Sequence, residues 1–251
     1  MSKPISIQLY TVRDLCAQDF FGTLEEIAKI GYIGVEFAGL HGKSPQDVAA
    51  KVKSLGLKVS SSHVGLPTSE TVNQMVDIEK VLGNNLLITG FGPDDFKTVE
   101  LCKRSAAQFQ EAAQLVKERG LRFGVHNHWW EFHKVDGRLA YDILMEEAPD
   151  LHSELDIYWV AFGGADPVDI VRRYKSRIPV LHVKDGPLEP DKPHTAVGKG
   201  KVPVPAVINA ADPSVLEWLI VELDSCGTDM MEAVRDSYTY LTSTGLASGR
   251  I

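Results

Sequence analysis

The strongest constraint on this chain is a phrase that recurs along it: a helix-like segment, a glycine, a short turn, then a strand-like run. It reads Ile30-Gly31-Tyr32-Ile33-Gly34-Val35-Glu36, then Leu55-Gly56-Leu57-Lys58-Val59-Ser60, then Arg119-Gly120-Leu121-Arg122-Phe123-Gly124-Val125. Glycine closes a helix because it tolerates the left-handed conformation of the cap, and the strand follows the short αβ turn. Eight strand-like runs, near 5–10, 33–37, 58–64, 86–91, 121–127, 152–158, 179–185 and 218–224, alternate with helical or connecting segments. Strands separated by helices run parallel through crossover connections, and eight such units close a barrel. The reading is α/β, a (β/α)8 TIM barrel, with residues 1–251 as a single domain. A doubly wound open sheet fits less well, because Tyr10-Thr11-Val12-Arg13-Asp14 after the first strand lacks the glycines of a phosphate loop.

Local signals place the helices. Leu24, Ile27 and Ala28 share a face in a helix over Thr23–Ile30 that stops at Gly31, and Pro45 opens another that stops at Gly56. The longest helix is predicted from Asp95 to Arg119, with Gly120 after it. Between Gly186 and Val204 lie Pro187, Pro190, Pro193 and Pro203, the pattern of a long ordered loop in the position of a lid.

The net charge of −8 argues against duplex nucleic acid as the partner, since phosphate neutralisation needs a basic surface. Cys16, Cys102 and Cys226 form neither a disulfide framework nor a CxxC zinc pair. The chain turns into a strand at once, without the apolar core of a signal peptide, and no apolar run nears the roughly 18 residues that cross a bilayer. A cytoplasmic protein without membrane contact is expected, and a homo-oligomer is compatible with it.

Function is concentrated at strand ends. His126 and His128, Glu154 and Asp156, His182 and Lys184, and Glu222 and Asp224 recur two apart, so each pair shares one face. Charged residues at the C-terminal ends of barrel strands mark the catalytic rim. Asp156, His182 and Glu222 come from strands six, seven and eight and can converge on one ion. Two carboxylates and an imidazole suit Mn, Mg, Fe, Co or Zn without choosing among them. Glu36, His63 and Lys184 fall on the same parity. Lys184 is placed to polarise a substrate oxygen, and His63 or His128 to move protons; Glu36 either meets the substrate or ties down a neighbouring loop. His126, Trp159 and Asp185 complete the expected substrate contacts, while His41, His133, His152 and His194 are expected at the surface or in loops.

In order along the chain, Gln8-Leu9-Tyr10-Thr11-Val12-Arg13, Gly31 to Glu36, Ser62-His63, His126-Asn127-His128-Trp129-Trp130-Glu131-Phe132, Leu155-Asp156, His182-Val183-Lys184-Asp185 and Glu222-Leu223-Asp224 resemble the sugar phosphate isomerase/epimerase superfamily with its xylose-isomerase-like TIM barrel. The resemblance implies one divalent metal held by strands five to eight, with a sugar, polyol or keto-sugar chelated to it. Asp156, His182 and Glu222 match the family's ligand positions. Strand five departs, since many relatives carry Glu where this chain has His126. The fourth ligand is therefore His126 or Glu131, and the choice taken is Glu131, although its parity is opposite to that of His126 and requires a bulge.

The implied chemistry is proton removal next to a metal-polarised carbonyl, giving an enediolate that isomerises, epimerises or eliminates. With His126 in place of a carboxylate, Glu222 lacks its usual partner for two-carboxylate epimerisation. A lyase or dehydratase of keto-sugars or inososes thereby gains weight beside the isomerase or epimerase. A non-catalytic sugar-binding barrel is a third reading, and an apurinic endonuclease the weakest, for want of further ligands and a basic groove.

Overall fold

The computed structural model describes residues 2–250. Its barrel strands are β1 (Lys3–Gln8), β2 (Gly34–Phe37), β3 (Lys58–His63), β4 (Leu86–Thr89), β5 (Arg122–His126), β6 (His152–Asp156), β7 (Val180–Val183) and β8 (Trp218–Val221). Each pairs in parallel with the next, and β8 returns to β1, with Ile5, Ser6 and Ile7 opposite Leu219, Ile220 and Val221. The expected (β/α)8 barrel is thus closed. A two-residue strand, Ala247–Ser248, runs beside the start of β1.

Strand alternation divides the side chains between two environments. Ile5, Ile7, Val35, Leu87, Val125, Leu155, Leu181 and Leu219 join the apolar shell under the helices. The inward set begins with a small apolar plug of Leu86, Ile88, Val180 and Ile220, with Trp218 packed against it. A Cβ on Gly34 would lie 2.8 Å from the Trp218 ring, and one on Gly124 2.9 Å from Ile88 Cδ1. These two glycines therefore make room for the plug. Above it, toward the C-terminal ends, the inward residues are polar. Between β2 and β3 the register slips, so that Val35 faces Val59 but Glu36 faces Ser61. The bulge brings Ser61, and His63 two residues on, to the inner face beside Glu36.

The helices follow the predicted order with shifted starts. The first long helix begins at Phe20, because Asp19 caps it by accepting the Gly22 N–H at 3.0 Å. The longest spans Val99–Lys117 and not Asp95 to Arg119. Pro93–Phe96 forms its own 3-10 turn, and Thr98 Oγ1 caps the helix at the Leu101 N–H, 3.2 Å away. Among the described residues no helix is long and apolar enough to cross a membrane.

The loop after β7 is gathered around one carboxylate. Asp185 Oδ1 accepts the N–H groups of Gly186 at 2.8 Å and Val202 at 3.1 Å, and Oδ2 those of Gly198 and Gly200 at 3.0 Å each. Asp185 is buried and its acceptor sites are filled by backbone, which corrects its assignment to substrate contact: it is the hub of the loop.

Candidate active site and metal centre

The loop His126-Asn127-His128 is built from both directions. His126 ends β5 facing inward. The buried Asn127 side chain takes the Asp156 N–H with Oδ1 at 2.9 Å and donates to the Asp156 carbonyl at 3.2 Å. It locks the ends of β5 and β6 together. Asp156 in turn caps the helix Ile157–Phe162, accepting the Trp159 N–H on Oδ1 at 2.9 Å, which leaves Oδ2 for the barrel interior. Register sets Asp156 opposite His182, and His182 Nδ1 lies 2.9 Å from Glu222 Oε2.

His126, Asp156, His182 and Glu222 therefore each present one ligand atom to a common point, all within 4.8 Å of one another. All four are buried. Of the four, His126 and Glu222 line an open pocket of roughly 450 Å³, together with His63, His128, Trp159 and His194.

Lys184 lies beside this set, with its ammonium 2.7 Å from Asp224 Oδ2, 2.9 Å from Glu222 Oε2 and 3.0 Å from Asp156 Oδ2. It also sits 5.0 Å from the centre of the Trp159 ring, a cation–π contact. The approach to Asp156 is an ion pair without hydrogen-bond alignment, so Asp156 Oδ2 is a buried oxygen without a hydrogen-bond donor.

Below the set is a second polar layer. Glu154 Oε1 lies 2.6 Å from His63 Nε2, 3.1 Å from His126 Nδ1 and 3.0 Å from His182 Nε2. Glu36 Oε1 lies 2.8 Å from His182 Nε2, and its carboxyl group accepts from the Gln8 amide and the Ser61 hydroxyl.

Four buried carboxyl groups, Glu36, Glu154, Asp156 and Glu222, face one buried lysine at this centre. The excess negative charge is visible in the imidazoles. Burial alone would keep His63 neutral, but Glu36 and Glu154 push it up to about 10. His182 is likewise raised well above its ordinary value against the opposing effect of burial, by Glu154, Glu36 and Glu222. Burial would raise Glu222, yet Lys184 and His182 hold it well below the usual carboxylate range. His128 is different: burial, with His126 and Lys184 nearby, lowers it to about 2. A polar site with this surplus of buried anions and an oxygen lacking a donor fits a divalent cation. Two imidazole nitrogens and two carboxylate oxygens are a donor set for Mn, Fe, Co or Zn, and for Mg with fewer nitrogens.

Expectations from the sequence are corrected here. Glu131 is not at the centre. It lies on the 3-10 turn Trp130–Phe132 that follows β5, and its Oε2 accepts the His128 N–H at 2.9 Å. On strand five it is His126 that lies within the group of side chains that could hold an ion. Glu36, expected to meet substrate or tie down a loop, lies fully buried beneath His182. His194, expected at the surface or in a loop, lies in the loop after β7, where it is buried in the pocket wall with its Nδ1 accepting the Asp224 N–H at 3.2 Å. His41 and His133 are exposed as expected and His152 is half-buried. Lys184 is enclosed by carboxylates, which suits it to hold them in place more than to face a substrate. Trp159 stands at the rim, its Nε1 buried without a partner. Glu154, not among the site residues expected from the sequence, shares the centre, and its spacing of two from Asp156 is the signal for it.

A model of the xylose isomerase-like TIM barrel family matches residues 24–243. Over 188 residues, 64% of this chain and 60% of the relative, the sequence is 25% identical to an inosose dehydratase of Geobacillus kaustophilus. The match thus spans less than two thirds of that protein's length. A sugar phosphate isomerase/epimerase of Parabacteroides distasonis superposes with a TM-score of 0.84 at 25% identity, covering 99% of this chain and 96% of that one. The IolI protein, in a structure with a bound zinc atom, has the same fold, with a TM-score of 0.72 at 14% identity over 96% and 98% of the two chains.

Proposed function

We propose that this chain, which belongs to the xylose isomerase-like TIM barrel family, is a divalent-metal-dependent isomerase or epimerase of a sugar or keto-sugar. The observation that carries the reading is the convergence of His126, Asp156, His182 and Glu222, with His126 and Glu222 lining an open pocket. When bound there, a divalent ion supplies Lewis acidity toward a carbonyl and its neighbouring hydroxyl.

The chain's own groups do the rest. Glu222 lines the pocket as an ionised carboxylate and takes the proton from the carbon next to the carbonyl, leaving the sugar as an enediolate. His63, also in the pocket wall, returns a proton. His128 is neutral, and its Nδ1 has no partner in the fold; it takes a substrate hydroxyl by hydrogen bond. Trp159 and His194 at the rim orient the ring of the sugar. Return of the proton to the neighbouring carbon isomerises the substrate, and return to the opposite face epimerises it.

A second reading is dehydration of a keto-sugar or inosose, in which the enediolate expels a β-oxygen. It is favoured by His126, an imidazole where two-carboxylate epimerisation needs a second carboxylate, and by the likeness to an inosose dehydratase.

The test is metal analysis of the purified chain, then solvent-deuterium exchange and product identification over keto-sugars and inososes. Asp156→Ala and His182→Ala are expected to lose both the metal and exchange while staying folded, and Glu222→Gln to keep much of the metal and lose exchange. Full metal occupancy in the first two variants would overturn the site.

A further inference from the structure

Two overlapping groups of side chains have the spacing to hold a cation: His126, Asp156, His182 and Glu222 above, and His63, His126, Glu154 and His182 below. They share His126 and His182. A neutral imidazole offers one nitrogen lone pair and one N–H, so neither shared histidine can serve an ion in each layer without losing its last ring proton. One layer therefore takes the ion and the other takes the N–H groups.

The geometry decides which. Each layer holds a carboxylate oxygen without a hydrogen-bond donor, Asp156 Oδ2 above and Glu154 Oε2 below. Each also reaches the open pocket, through Glu222 and His126 above and through His63 and His126 below, but the upper layer offers two carboxylates to the ion and the lower one only one. In the lower layer the ring nitrogens already meet carboxylate oxygen at hydrogen-bond distance. Glu36 there is already occupied by Gln8 and Ser61, and Glu154 is fully buried and collects three ring nitrogens on one oxygen.

We infer that Glu154 is a positioning residue: it receives Nδ1 of His126 while Glu36 beside it receives Nε2 of His182, and together they commit Nε2 of His126 and Nδ1 of His182 to the cation. This rests on the metal-centre reading given under Proposed function. Carboxylates that hold a ligating imidazole by its other nitrogen fix its tautomer and its direction, and their removal typically weakens metal binding 10–100-fold. From the strand that also supplies Asp156, Glu154 does this for His126, and the same oxygen lies 3.0 Å from Nε2 of His182. The same oxygen accepts His63 from the opposite wall, so the proton donor and the two ligands share one anchor.

The experiment uses the full chain. Cadmium-113 bound to histidine-15N-labelled protein reports, through the metal–nitrogen coupling, which ring nitrogen of each histidine is ligated. Manganese competition against a chelator gives stoichiometry and affinity for wild type and for Glu154→Gln. One ion per chain is expected, with coupling to Nδ1 of His182 and Nε2 of His126, and manganese binding 10–100-fold weaker in Glu154→Gln. Coupling to Nε2 of His182, two ions per chain, or an affinity within threefold of wild type in a folded Glu154→Gln would each overturn the inference and leave the metal centre standing. No ion in the wild-type chain would overturn both. The coupling measurement needs no variant, so the inference stays testable if Glu154→Gln does not fold.

Discussion

Glu131 permits the sharpest test of how this site is supported. Its carboxyl group is fully buried, holds the His128 N–H on one oxygen and leaves the other without a partner. Burial pushes it up to about 8 from an ordinary 4.5. Because the folded-state value lies above the unfolded one, the folded chain holds the extra proton between these limits, and stability falls as pH rises through them. Each tenfold change is worth about 1.4 kcal/mol, so Glu131 removes on the order of 5 kcal/mol between pH 4.5 and pH 8. Glu131→Gln keeps the shape and an acceptor for His128 but cannot ionise. Its amide leaves a donor unsatisfied, a constant penalty of about 1–3 kcal/mol. The variant is therefore expected to be less stable than wild type near pH 5 and more stable near pH 9. Urea unfolding of both proteins across this range, with chelator present, reads the difference directly, since the other titrating groups are common to both. Parallel stability curves for the two proteins would refute a buried, proton-bearing Glu131.

Lys184→Met leaves Asp156, Glu222 and Asp224 without their shared cation. The metal-free variant is expected to lose on the order of 3 kcal/mol, with a larger rise in melting temperature on adding manganese than wild type gains; equal shifts would argue that Lys184 does not neutralise the ligand carboxylates. Gly200→Ala would set a Cβ 2.1 Å from Asp185 Oδ1 and 2.3 Å from the Gly186 nitrogen. It is expected to loosen the 186–203 loop, read as faster limited proteolysis there, and an unchanged cleavage rate would count against the Asp185 hub.

Much of this architecture was legible from residue order. Glycines after helical segments marked the αβ turns, and the spacing of two at strand ends put Asp156, His182 and Glu222 on one face, where the fold brings them together. Depth was not legible. Parity states which face a residue takes, while the stagger of tilted strands decides its layer. Register sets Glu154 opposite His126 but Asp156 opposite His182, and so Glu36 and Glu154 fall below the ligands that share their parity. Glu131 does lie in a turn after His126, but the 3-10 segment Trp130–Phe132 directs its carboxyl group to the His128 N–H and away from the centre, an orientation that spacing alone does not carry. His194 gave no periodic signal at all, since a loop organised by one remote carboxylate has no repeat to read.

That loop has a practical consequence for redesign of the pocket. Lys184 and Asp185 are neighbours of opposite parity, one directed to the site and the other to the loop's four amides. The segment from Gly186 to Val202 is thus a cassette with its own fastening, made through backbone groups that are indifferent to most side chains. A residue of this segment that lines the pocket, such as Lys192, can be exchanged as a specificity element while the barrel is left alone, provided Asp185, the close-fitting Gly200 and His194, which holds the Asp224 N–H, travel with the graft.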